Sequence, residues 1–140
     1  MIELLVVMAI LGILAVVGLS SFRTSQLKSR DAKRKSDLEQ VQRALEMYYN
    51  DNGNYPASLT NWGEIFSSDG TVNGTVYMKE LPKDPSGNPE YCYIKIDSPV
   101  SYKLYAKLEN SQDPRILSPR SCGGNTNAYN YGVSSSNPIP

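Results

Sequence analysis

The chain has 140 residues, and 14 Lys and Arg balance 14 Asp and Glu, so the starting expectation is one modest domain of zero formal charge. It contains no His, which excludes imidazole acid–base chemistry, His-ligated metals and the Ser/His and Cys/His nucleophile pairs. Its two Cys fit neither a four-thiolate zinc site nor a C-x-x-C redox motif, and neutrality argues against nucleic-acid binding through bulk charge.

The zero is a sum of unlike blocks. Residues 1–22 carry −1 from Glu3, residues 23–35 carry +5, and the remainder carries −4. The three blocks read as apolar, interfacial and aqueous environments.

In the first block, Leu4 to Leu19 is a run of sixteen residues without a polar side chain. As a helix it reaches roughly 24 Å, short of the ~30 Å hydrocarbon core. Residues 1–3 and 20–22 extend it to a marginal span, without the basic start of a signal peptide. Gly12 and Gly18, followed by Ser20 and Ser21, weaken a helix, each Gly by up to about 1 kcal/mol, so local unwinding between Gly12 and Ser21 is expected. Glu3 has two readings. It lies at the membrane surface and favours helix entry through the macrodipole, or it is a functional charge in an apolar setting that needs a partner.

The segment M-I-E-L-L-V-V-M-A-I-L-G-I-L-A-V-V-G-L resembles the N-terminus of type IV pilins and of type II secretion pseudopilins, whose mature form typically begins F-T-L-I-E. On that alignment Glu3 matches the family's glutamate, Gly12 its helix glycine, and Met1 its third mature position. The resemblance implies a helical homo-oligomeric filament built by packing of the apolar helix. Glu3 then meets the N-terminal amine of a neighbouring subunit, and Glu3, Gly12 and Gly18 form the assembly set. It further implies a prepilin peptidase that cuts and methylates, an assembly platform with its ATPase, and inner-membrane lipid around the helix before assembly. The leader and the first two mature residues are not in this sequence, which leaves the amine partner of Glu3 open. Ser20 stands where many pilins have Pro.

Residues 22–50 contain neither Pro nor Gly, and Leu38, Val41, Leu45 and Tyr48 recur at helical spacing with Ala44 beside them. This predicts an amphipathic helix with one stripe on the chain's own core, while Asp37, Glu39, Arg43 and Glu46 take solvated faces or pair locally. Joined to the apolar half, it makes a helix over residues 1–52, about 75 Å long. That is too long for an isolated globule of this size. N-D-N-G-N-Y-P ends it, with Gly53 suited to a C-terminal cap and Pro56 beyond. The cations of 23–35 are expected to meet lipid headgroups before assembly and solvent afterwards. Some relatives of type IV pilins take up DNA; that role is not expected here, since acidic residues outnumber basic ones elsewhere.

Residues 53–140 read as a head of turns and short strands. Residues 59–66 form a short helix or loop around Trp62, and Asn73-Gly74 is a two-residue turn signal. L-P-K-D-P at 81–85 is a rigid extended turn and resembles the L-P-x-D-P segment of major pseudopilins. Residues 90–97 and 101–109 predict antiparallel strands across Ser98-Pro99, with a third strand near 129–133. Cys92, Ile94 and Ile96 are expected on the apolar face with Tyr102, Leu104, Ala106 and Leu108, covered by the helix stripe. Cys92 and Cys122 pair or stay free; the exported context implied by the resemblance favours the disulfide, worth about 3 to 4 kcal/mol in the chain-entropy model. Major pseudopilins also bind calcium near their C-terminal strands. Here Asp113, with Asn110 or Ser111, is the one nearby oxygen cluster, and a single carboxylate makes a poor site. No metal is expected, and no paired carboxylates, phosphate loop or nucleophile elbow point to an enzyme.

The fold expectation is α+β: a long N-terminal helix over 1–52, apolar in 1–22 and amphipathic in 23–52, packed by its C-terminal half on a small antiparallel sheet in a 53–140 head. The leading functional expectation is a type IV pilus subunit, at the inner membrane before assembly and in a surface filament for adhesion or motility afterwards. The alternative is a type II secretion major pseudopilin, with L-P-K-D-P in its favour and the Cys pair in favour of the pilus. A third reading is a single-pass membrane protein with an exported binding head.

Overall fold

A single helix, α1 (Ile2–Asn52), takes up 51 residues of the computed structural model. Residues 2–135 are described, apart from 60, 88 and 99 and apart from the side chains of 16–20 and 125–128. The expectations placed on Met1, on Pro99 and on the surroundings of Gly18 and Ser20 fall outside the described residues. No unwinding interrupts α1 between Gly12 and Ser21. One glycine per few turns costs only about 1 kcal/mol, and the flanking Leu, Ile and Ala sustain the helix. It stops at Gly53, whose φ of 67° suits an αL cap and whose N–H donates to the Tyr49 carbonyl at 2.8 Å.

Among the described residues three small antiparallel sheets follow. The first pairs β1 (Phe66–Ser67) with β2 (Val76–Met78), the second has the order β3 (Cys92–Asp97), β4 (Val100–Ala106), β7 (Tyr131–Ser134), and the third pairs β5 (Arg120–Cys122) with β6 (Asn125–Tyr129). The central sheet is the predicted one, its third strand displaced to β7. Residues 61–65 contain no helix. They are held as a loop by Gly63 N–H to Leu81 O at 2.7 Å and Leu81 N–H to Glu64 O at 2.7 Å. Gly63 has φ of 89°, so the backbone conformation calls for glycine, while the end of the Lys83 side chain that lies over it can move aside. The connection between β1 and β2 is longer than a two-residue turn at Asn73-Gly74: Ser68 N–H meets the Thr75 carbonyl at 2.9 Å, and within the loop Asp69 accepts the Thr71 N–H at 2.8 Å, Gly70 takes a positive φ and a turn falls at Val72-Asn73.

The core lies between α1 and the central sheet. Leu38, Val41, Ala44 and Leu45 meet Tyr102, Leu104, Ala106 and Leu108, all buried. Tyr48 stacks on Phe66 with centroids 5.5 Å apart and meets Tyr77 edge-on at 5.2 Å. On β3 the expected faces are inverted. Tyr93 pairs with Leu104 across the ladder, which turns Tyr91 and Tyr93 towards α1 and leaves Cys92, Ile94 and Ile96 on the outer face. Tyrosine suits this boundary because its ring is apolar and its hydroxyl finds a partner at the edge: Tyr91 donates to Asp37 at 2.8 Å and Tyr93 to the Pro56 carbonyl at 2.7 Å. Cys92 faces outward because its bond to Cys122 ties the β5–β6 hairpin there. The bridge spans 30 positions, a loop worth about 3 to 4 kcal/mol in the chain-entropy model.

Candidate functional site

Two surfaces of α1 carry the features that a folded head alone does not explain. From Ile2 to Leu14 the apolar side chains lie around the whole helix, and the large ones are 51 to 76% exposed. A helix apolar on every side is normally buried on every side, and an exposed apolar surface of this extent marks an interaction site. Among the described residues no helix is long and apolar enough to cross a membrane; residues 2–15 alone reach only ~21 Å. Glu3 lies in the first turn and is exposed. Gly12 has nothing within 4 Å of the position its Cβ would take, so no contact inside the chain calls for a glycine there.

The second surface is an ionic clasp between α1 and the base of the head. Arg34, 1% exposed, is its hub. Its guanidinium donates to Asp84 through Nε at 2.7 Å and Nη2 at 3.0 Å, to Asp31 through Nη1 at 2.7 Å, and to Glu109 and the Ser86 hydroxyl through Nη2 at 2.6 and 2.8 Å. Arg30 forks onto Glu109 at 2.9 and 2.5 Å. Asp31 accepts the backbone N–H groups of Glu109 and Asn110 at 2.9 and 2.8 Å. Bidentate, charge-assisted geometry of this kind is what offsets the desolvation of buried ions.

The titration behaviour follows from these contacts. Burial works to lower the Arg34 pKa, and the hydrogen bonds to Asp84, Glu109 and Asp31 outweigh it and raise it. Burial would raise Asp84, but Arg34 and Ser86 hold it below the ordinary carboxylate range. Glu109 is held at about 2, by the Arg30 hydrogen bond first and Arg34 next. Asp37 goes the other way: burial raises it, against the Tyr91 hydrogen bond. Glu46 accepts from the hydroxyls of Tyr55 at 3.0 Å and Tyr102 at 3.1 Å, and burial together with Glu46 pushes Tyr55 up to about 12.

These contacts correct the reading of the basic stretch and of the polar helix faces. Arg30, Arg34 and Lys35 are engaged by the head rather than offered to lipid or solvent, which leaves Arg23, Lys28 and Lys33 exposed. Asp37 is buried and Glu46 half-buried, because the inward tyrosines need acceptors. The donors considered for calcium do not fit a divalent ion. Asp113 Oδ2 accepts from Lys35 Nζ at 2.5 Å and its Oδ1 from the Arg115 N–H at 2.9 Å, while Asn110 Oδ1 faces the Gln112 N–H at 3.3 Å. Among the described residues no three metal-ligating side chains converge.

The sequence residues thus fall into two groups. Leu38, Val41 and Leu45 are fully buried and Tyr48 packs beside them, Cys92 and Cys122 are joined, and Glu3 and Gly12 stand away from the head. Asp31, Arg34, Asp84 and Glu109 were missed. For the two on α1 a signal was present: counting back from Tyr48, Leu45, Val41 and Leu38 in steps of three and four reaches Arg34 and Asp31, so the buried stripe continues through charged residues.

A family model described as type II secretion system (T2SS), protein G, matches residues 22–112. That span holds the whole clasp and excludes the apolar residues 2–15 and Cys122. Type II secretion system core protein G of Aeromonas hydrophila is 34% identical over 95 residues, 64% of this chain and 66% of the relative. The protein of the same name from Pseudomonas aeruginosa is 30% identical over 112 residues, 76% and 78% of the two chains. That of Escherichia coli K12 is 32% identical over 110 residues, 74% and 75%. The chain spans just under two thirds of the Aeromonas relative and more of the other two. No solved structure matches.

Proposed function

The chain belongs to the type II secretion system protein G family, and from that premise we propose that it is a structural, non-catalytic subunit of a type II secretion pseudopilus. This reverses the order of the two expectations drawn from the sequence, where the surface pilus led. The relatives carry secretion names, and pilus adhesion and motility have support only at the level of the wider pilin family. Before assembly the helix is held in the inner membrane; afterwards it packs with other copies in the core of a short periplasmic filament, heads outward.

The observation that carries the proposal is the apolar half of α1. Ile2, Leu4, Leu5, Val6, Val7, Met8, Ile10, Leu11, Ile13 and Leu14 are all exposed while the head core is complete without them. Their cover comes from outside the chain. Burial stabilises at about 25 cal/mol per Å² when it starts from water; starting from lipid, the gain is packing. Glu3 sets the axial register, because an unpaired carboxylate is costly in such a core and a paired one is tolerated.

The test is a deletion of the gene complemented with Glu3→Ala and with Leu5→Arg. Both variants are expected to leave the head folded, to abolish filaments and to block release of exported proteins into the medium. Filaments of normal abundance from both variants would overturn the assembly role. Long surface fibres lost on deletion, with secretion intact, would favour the pilus.

A further inference from the structure

The connection between β4 and β5 crosses the base of the head and is fastened at both of its sides. Asn130 pins its start, accepting the Leu108 N–H at 2.6 Å and donating to the Leu108 carbonyl at 3.0 Å, and its end, where Leu117 N–H meets the Asn130 carbonyl at 2.7 Å. Between these points the backbone turns on itself, with Asp113 N–H to Asn110 O at 3.1 Å and Ile116 N–H to Asp113 O at 3.2 Å. Its middle is held to α1 by side-chain charge: Asp31 and Arg34 at Glu109 and Asn110, and Lys35 at Asp113.

We propose that Lys35 is the built-in cation of this loop, so that the segment around Asp113 is ordered by an ammonium carried on α1 and not by a divalent metal. Three observations converge on it. Lys35 Nζ lies 2.5 Å from Asp113 Oδ2, with both side chains largely covered. The same Nζ sits 5.8 Å from the centre of the Tyr131 ring, so the ammonium is held between a carboxylate and an aromatic face. The second Asp113 oxygen is taken by the Arg115 N–H. Calcium needs six to eight oxygens, and its affinity follows the number of carboxylates. At this loop it would meet Asp113, already neutralised by Lys35, and Asp31 and Glu109, both committed to Arg34. The hollow beside it, about 410 Å³, is lined by Lys28 and Lys35 as well as Asp31 and Asp113, so an entering cation faces two ammonium groups.

The bridge also explains why Asp113 is held below the ordinary range, by the Lys35 hydrogen bond first and the Arg115 N–H next. An ammonium gives three donors in a compact charge, enough for one carboxylate edge and one ring. Arg34 at the preceding position serves the buried side of the clasp, so two successive cations of α1 hold one loop between its pinned ends, at Glu109 and at Asp113.

The experiment is limited trypsin digestion of the full chain in detergent, following the cut after Arg115, an exposed site inside the loop. Such cleavage reports how often the segment opens. The wild-type rate is expected to be the same with millimolar Ca²⁺ and with chelator. Lys35→Met is expected to raise the rate severalfold, and Lys35→Arg, which keeps a cation over the Tyr131 ring, to return it to near the wild-type value. Protection of the wild type by Ca²⁺, heat of Ca²⁺ binding to it in calorimetry, or a Lys35→Met rate equal to wild type would each overturn the proposal. None of these readouts depends on filament assembly.

Discussion

In residues 2–15 of α1 the large apolar side chains are exposed around the helix and take no part in the head core, whereas from Asp31 to Tyr48 one stripe of the same helix is buried against the head. The two halves share a backbone and differ in where their partner lies. In the second half the partner is the same chain, so a lost contact is read as lost stability. In the first half, in the proposed assembly, it is other molecules, so a lost contact is expected to be read as lost association while the monomer barely registers it. The hub of the second half is charged and the surface of the first is apolar, the reverse of the usual assignment of charge to the outside and hydrocarbon to the inside.

The sharpest way to break that comparison is at the hub. Arg34→Met leaves Asp84 and Asp31 buried without their cation, and removal of one partner from a buried ion network costs about 3 to 5 kcal/mol. Urea unfolding followed through Trp62 fluorescence is expected to show a loss of that order. Arg23→Met, at an exposed position of the same helix, is expected to stay within about 0.5 kcal/mol of wild type. Equal effects would mean that the clasp does not hold the head to α1.

Next in size is a matched pair of truncations. Leu38 is fully buried between α1 and the sheet, and Leu38→Ala is expected to cost about 2 to 5 kcal/mol. Leu11, 56% exposed in the monomer, takes no part in the head core, so Leu11→Ala is expected to leave the urea midpoint unchanged and to reduce filament yield. A head destabilised by Leu11→Ala would erase the distinction between the halves.

Acid sharpens the comparison more gently, because it acts on the clasp and not on the apolar half. Glu109, Asp84 and Asp113 have folded pKa values below their unfolded ones. Their contribution is therefore complete above the ordinary carboxylate range and is lost as pH falls through the folded values, for Glu109 between 4.5 and about 2. Asp37 opposes this trend: its raised pKa means that the folded head favours the protonated form, so acid relieves a cost there. The urea midpoint of the wild type is expected to drop across that window, and in Glu109→Gln the drop is expected to be shallower. A flat wild-type profile, or an unaltered slope in the variant, would count against the clasp as the acid-sensitive element.

What was legible in the sequence divides along the same line. The helix, the central sheet and the stripe of Leu38, Val41 and Leu45 follow from periodicity, because apolar spacing reports local geometry directly. The cap at Gly53 follows from turn chemistry. The faces of β3 were misread because alternation does not say which side is inside. Cys92, Ile94 and Ile96 look more apolar than Tyr91 and Tyr93, yet pairing with Leu104 and the bond to Cys122 decide the matter. The clasp was hidden because a charged residue in a helix stripe resembles a solvated one until its partner, fifty or more positions away, is placed opposite it. Asp84 was visible only as part of L-P-K-D-P, with nothing local to say that it faces Arg34. The apolar half of the helix was legible as a run of residues because it depends on no partner inside the chain.

Gly12 gives the smallest expected effect on the monomer. Alanine favours a helix interior over glycine by about 1 kcal/mol, and its methyl would enter open space, so Gly12→Ala is expected to stiffen α1 slightly without touching the head. If the glycine were an accident of sequence, the variant would assemble as well as wild type or better. If Gly12 is where a neighbouring helix approaches closely, the added methyl falls in that contact, and small residues are what allow helices packed away from water to come together. The expected outcome is an unchanged head midpoint with reduced filament yield in electron micrographs. The monomer gains by the substitution and the assembly loses, and only an interface outside the chain reconciles those two signs.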